Sequence, residues 1–210
     1  MQGDRGFTLD EVLPAFRDAS DWYITAVEGV DPDQWDAPGL GEWSVLELVA
    51  HASRAYVTLE QYLQPGGHID IGTAADYFRV ALADPTIHAT VAARGRDEVT
   101  ALGDDPLAAV RARAASATHA VEVAPPGSVC VTFAGTLSLA DYLATRVIEL
   151  TVHSLDIAAA VGRPDAEPPE TAAGVSLVVL SALAAHPTAA TLLRALTGRA
   201  ALPSGFNVFP

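Results

Sequence analysis

Glu149 and His153 stand four residues apart within residues 146–162, RVIELTVHSLDIAAAVG. In a helix that spacing stacks two side chains on one face about one turn apart, so a carboxylate oxygen and an imidazole nitrogen can reach the same cation. The positions three and four residues along, Val152, Leu155 and Ile157, are apolar, which predicts that this edge borders packing rather than open water. A carboxylate and an imidazole so placed either satisfy each other and nearby polar groups or hold a cation. His51, in GEWSVLELVAHASRAYVTLEQYL, falls with Leu48, Ala52, Ala55 and Leu59 along or beside one apolar stripe. It is read either as a hydrogen-bonded core histidine or as a ligand. Two histidines and one carboxylate suffice for a catalytic zinc and leave one position for water or a substrate atom. A thiol entering that position would lose its proton and become a nucleophile, whereas an activated water would give a hydrolase. Asp156, three residues after His153, can accept a hydrogen bond from that imidazole, or else form an ion pair at the helix surface. Arg146, three residues before Glu149, stands outside any metal shell because a guanidinium does not coordinate cations.

These side chains need helices to carry them. The first is predicted to begin near Thr8, where Thr8 and Glu11 form a capping-box pattern, and Val12, Ala15, Phe16, Ala19, Tyr23 and Val27 recur at helical spacing. Pro14 lies within the first turn or two and is a candidate for the true start. Ser44 and Glu47 repeat the capping pattern for a second helix running to about Leu63, with Trp43 as an apolar plug beside the cap. Residues 73–82, 85–102 and 106–121 read as helices broken at Asp84-Pro85 and around Gly103 to Pro106. His68, His88 and His119 have no spacing that ties them to the other ligands, and Arg94 and Arg96 read as a solvated helix end, with contact to an anionic substrate as the alternative. Residues 124–137 read as a loop around a β-prone run, Val129 to Phe133, either a small strand or an extended crossover. Cys130 within it reads as a small buried hydrophobe rather than a reactive thiol. Ser138 and Asp141 provide a cap for the helix bearing Glu149. Two further helices, near 170–185 and 188–197 and separated by His186-Pro187, carry Leu177, Val178, Leu180, Ala184, Leu192, Leu193 and Leu196, which would cover the bundle or an identical subunit.

Composition narrows the class. The chain has 210 residues, enough for one well-cored domain, and half are apolar with few aromatics, which favours a helical core over a β-sandwich. A net charge of −14 argues against nucleic acid and against anionic membrane surfaces as partners. A single cysteine rules out an internal disulfide framework or a cysteine-ligated structural zinc. No basic, apolar N-terminal leader and no run of ~20 apolar residues is present, so a cytoplasmic location is expected.

The segment WSVLELVAH at Trp43 to His51, together with ELTVHSLDIA at Glu149 to Ala158, resembles the maleylpyruvate isomerase family of mycothiol-dependent enzymes, within the DinB-like superfamily. The resemblance implies an all-α, DinB-like four-helix bundle with additional helices and at most a short β segment. It implies a divalent metal, commonly zinc, held by His51 from the second helix and by the Glu149 and His153 pair from a later one. Nickel or iron would accept the same donors. Mycothiol or a similar thiol is the implied co-substrate, presented to a small electrophile for transfer or isomerisation. A non-catalytic metal-binding or ligand-sensing bundle and a water-activating hydrolase are the alternatives. Full-length maleylpyruvate isomerases continue into a smaller α+β domain that contributes a catalytic arginine, and too few residues follow here for it. The expected organisation is one domain over residues 1–210, with a core bundle at about 8–162, a helical extension at about 168–198, a tail over 199–210 and a possible homodimer.

Overall fold

The computed structural model describes residues 6–83, 98–184 and 188–209. Helix α1 (Leu9–Glu28) begins at the expected cap, where the Glu11 carboxylate accepts from the Thr8 amide at 2.8 Å. Pro14 does not mark its start. The helix runs through the proline, whose missing amide leaves the Asp10 carbonyl without its usual helical donor. Helix α2 (Val45–Tyr62) has both halves of its capping box, with Ser44 N donating to Glu47 at 2.9 Å and Glu47 N donating to Ser44 Oγ at 3.2 Å. After the two-residue strand β1 (Leu63–Gln64) come α3 (Ala74–Ala81), capped by Thr73, and α4 (Pro106–Glu122), capped by Asp105 with proline in its first turn. Strands β2 (Val129–Thr132) and β3 (Gly135–Ser138) lead straight into α5 (Leu139–Ala160), whose Asp141 amide donates to Ser138 Oγ at 3.0 Å. Helices α6 (Glu170–Leu183) and α7 (Ala189–Leu196) follow. The expected break at Asp84-Pro85, most of the expected helix over 85–102, His88, Arg94, Arg96 and the break at His186-Pro187 lie outside the described residues. Residues 98–102 are helical.

Helices α1, α5, α2 and α4 form a closed ring in which each packs on the next, the expected all-α four-helix bundle. Phe16, Tyr23, Leu48, Tyr56, Leu143 and Leu150 fill it and are fully buried. Tyr23 satisfies its hydroxyl by donating to the Val49 carbonyl at 2.7 Å. Helix α6 lies outside on α1, α3 and α5. Leu180 and Leu192 are half-buried and Ala184 is buried, as a covering role requires, whereas Leu177, Val178, Leu193 and Leu196 are exposed and α7 buries none of its residues. No helix among the described residues is long and apolar enough to cross a membrane.

The expected single β-prone run is the middle strand of an antiparallel sheet in the order β1-β2-β3. Both partners escaped the sequence reading: β1 is too short to show a period, and β3 lies in a glycine-flanked stretch that reads as loop. Their register matters for function. Leu63 pairs with Cys130, and Cys130 pairs with Leu137, so the end of α2 and the beginning of α5 are held at one level. His51 lies 12 residues before Leu63 and Glu149 lies 12 residues after Leu137. At 1.5 Å per residue both sit about 18 Å from the sheet. Antiparallel helices pinned at one end therefore bring these two side chains to the same height.

Asp141 locks that end. Its buried carboxylate accepts from the Phe7 amide at 3.3 Å, the Ala74 amide at 3.2 Å and Ser138 Oγ at 2.6 Å, tying the N-terminal segment and α3 to the start of α5. Replacing Asp141 with Ala strips all three donors of their acceptor. The expected loss is about 2–4 kcal/mol in urea unfolding, with far-UV circular dichroism unchanged below the transition. A stability equal to the wild type would show that the carboxylate is dispensable to the fold.

Candidate metal centre and adjoining cleft

Helices α2 and α5 face each other with matching stripes. His51, Ala55, Thr58 and Tyr62 follow at steps of four, three and four on α2, and Tyr142, Arg146, Glu149 and His153 follow at the same steps on α5. Because the helices run in opposite directions, Tyr62 meets Tyr142, with ring centroids 5.8 Å apart, and His51 meets Glu149 and His153.

One ligand atom from each of His51, Glu149 and His153 falls within 4.8 Å of the others. Glu149 Oε2 is 3.9 Å from His51 Nε2 and 3.5 Å from His153 Nε2. Asp156 Oδ2 is 3.0 Å from His153 Nδ1, a hydrogen bond that turns the other ring nitrogen toward Glu149. The structure thus brings all four sequence-selected residues together. His68 and His119 are exposed and lie apart from them. Val152 and Ile157 are half-buried and buried, as the helical spacing predicts, but Leu155 is exposed. Two residues beyond His153, it points to nearly the opposite side of the helix.

The cluster is strongly polarised. Burial and the neighbouring His153 cation push His51 down to about 4, against the opposing pull of Glu149, so this imidazole is neutral with a free lone pair. Burial alone would raise Glu149, but His153, Arg146 and His51 outweigh it and hold the carboxyl at about 2. For His153 the depressing effect of burial is overcome by Asp156 and Glu149, which raise it to about 9. His51 Nδ1 is buried and has no hydrogen-bond partner among the described residues. The Trp43 ring lies on one side of His51, with centroids 4.5 Å apart, and the edge of His153 meets it at 4.9 Å. Trp43, expected as a plug beside the cap, therefore fixes the plane of the imidazole by packing.

A cleft of about 130 Å³ opens beside the cluster, with His51 and Glu149 in its wall. Helix α3 contributes Tyr77 and Phe78, and the turn between β2 and β3 contributes Phe133. That turn is closed by Gly135 at a φ of 132°, where a side chain would be strained and would press on Ile71. Sequence reasoning missed the burial of Arg146 within this cleft, although the four-three-four spacing from Tyr142 to His153 carries the signal.

The family model described as the mycothiol maleylpyruvate isomerase N-terminal domain matches residues 16–158. The chain belongs to this family. The matched span runs from within α1 through nearly all of α5 and includes His51, Glu149, His153 and Asp156. No curated protein and no solved structure matches the chain.

Cys130 is fully buried between β1 and β3, and burial pushes its thiol up to about 12 despite the nearby Arg146. The internal thiol of this family member is therefore sealed from the cleft chemistry. A disulfide reagent at about pH 8 should label Cys130 at least about a hundredfold more slowly in folded protein than in urea. Equal rates would mean that the strand opens readily.

Proposed function

We propose that this chain is a divalent-metal-dependent enzyme that presents a low-molecular-weight thiol, mycothiol by the family's description, to a small electrophile for transfer or isomerisation. The carrying observation is the convergence within 4.8 Å of a neutral imidazole, an ionised carboxylate and a second imidazole, on rigid helices at the edge of a cleft; this second ring, His153, carries a proton near pH 7 that a bound cation would displace. His51 supports the reading most directly. Its Nε2 faces Glu149 Oε2 from 3.9 Å, too far for a hydrogen bond, so hydrogen bonding among the described residues leaves the direction of that nitrogen unexplained. A cation explains it, and the donor set suits zinc best while also accepting nickel or iron.

In this reading His51, Glu149 and His153 hold the cation, and Asp156 fixes the ring of His153. When bound, the cation supplies the charge that keeps an incoming thiol in its thiolate form near pH 7. Arg146 and the imidazoles keep Glu149 ionised and ready to bind. The aromatic walls of the cleft exclude water from the electrophile, which favours attack by sulfur over hydrolysis.

Elemental analysis of protein purified without chelator should find about one divalent metal per chain in the wild type and none in His153→Ala. Asp156→Ala should still bind metal, about 10–100-fold more weakly. Wild-type protein that neither retains nor takes up a divalent metal would end this reading. With cobalt in the site, adding a thiol should produce a new sulfur-to-metal absorption band. A metal that binds but gives no band would point to a closed, non-catalytic centre.

A further inference from the structure

The cleft has a charged group that the metal site does not use. Arg146 is only 8 % exposed, and its one hydrogen bond among the described residues runs from Nε to Thr145 Oγ1 at 3.0 Å. Its Cζ lies 4.6 Å from the centre of the Tyr142 ring, a cation–π contact, and the terminal nitrogens have no hydrogen-bond partner among the described residues along the cleft wall. No carboxylate oxygen among the described residues comes within 4.0 Å of it, so Glu149, one turn away, is a neighbour rather than an ion-pair partner. The other guanidinium on the wall, Arg54, is already engaged by Glu98 at 2.8 Å, and Glu98 is further held by Arg113 at 2.9 Å.

The guanidinium is mostly buried, but its terminal nitrogens are not among the sealed polar atoms, so the open fork is within reach of a ligand in the cleft, and a ligand that completes it is favoured. That fork matches the two oxygens of a carboxylate. The cleft, at about 130 Å³, is close in size to an engineered cavity of ~150 Å³ that admits benzene, and aromatic rings line it. It is too small for a nucleotide, and a free inorganic anion would leave the apolar walls unused.

We propose that Arg146 is the anion-binding residue of the cleft, and that the small molecule taken there pairs a carboxylate with an apolar body about the size of one ring. This rests on the metal-dependent reading only for what that molecule is presented to. Arg146 grips the carboxylate, Tyr77 and Phe78 enclose the body, and the remainder points along α5 toward Glu149 and His51.

The test uses metal-free protein, where no cation can bind the carboxylate, with benzoate and its neutral analogue benzamide as calorimetric probes. Wild type should bind benzoate at least about tenfold more tightly than benzamide. Arg146→Gln should abolish that preference, and Arg146→Lys should keep the charge but lose at least about threefold of it. Equal affinities for the two probes in wild type would overturn the proposal whatever the variants do. So would an undiminished preference in Arg146→Gln or, should that variant fail to fold by circular dichroism, in Arg146→Lys. Because metal is absent throughout, failure here leaves the metal stoichiometry untouched, and failure of the metal stoichiometry leaves this comparison standing.

Discussion

The antiparallel pairing of α2 and α5 is the constraint from which the site follows. Two helices packed in opposite directions can slide along each other, and a slip of one turn, about 5.4 Å, would separate His51 from Glu149 and His153. Side-chain packing alone would have to resist that slip. Here the backbone does so too, because β1 continues α2 without a break, β3 runs directly into α5, and β2 hydrogen-bonds to both. The short sheet works as a gauge that sets the relative height of the two stripes. Asp141 reinforces it by anchoring the N-terminal segment and α3 at the same end.

Much of this was legible in the sequence, for local reasons. Thr8, Ser44 and Ser138 are the first residues able to satisfy free helix amides ahead of an apolar period, and the three helices begin where those residues allow. The Glu149 and His153 pair was readable because helical geometry makes positions four apart adjacent whatever the tertiary structure. His51 was different. Its meeting with that pair depends on a register between segments nearly a hundred residues apart, fixed by a strand of two residues that leaves no sequence pattern. Only the likeness of two separated motifs to one family supplied that link. Arg146 escaped for a related reason: an arginine on an amphipathic helix reads as solvated, and its burial is decided by α3 and the β2–β3 turn closing over it.

The same packing explains why the bundle tolerates so much charge at its edge. Glu149 lies between two imidazoles, His153 lies between two carboxylates, and Arg54 and Arg113 share Glu98, so each charge is met by an opposite one within a few ångströms. These pairs sit where side chains are only partly shielded, and the fully buried layer behind them is mainly apolar, with Leu48, Leu150 and Ile157. The charged layer can therefore vary its occupants without opening the core.

Arg146 breaks that pattern of mutual compensation, and its position shows why the exception matters. It is more deeply buried than Glu149, yet it has an aromatic face and a threonine hydroxyl in place of an anion. A cation–π contact offsets roughly 0.5–2 kcal/mol, which compensates only part of the guanidinium's burial and leaves its terminal nitrogens open to the cleft. The neighbouring tyrosines stay protonated, since burial raises Tyr77 and Tyr142, so they give hydroxyl dipoles but no negative charge. What remains is a fixed positive charge on the wall of an aromatic cleft, one turn of α5 away from the centre where His51, Glu149 and His153 converge. That arrangement divides the work of binding between two ends of a single groove, one selecting an anion and the other facing the metal donors, on helices whose alignment the sheet has already set.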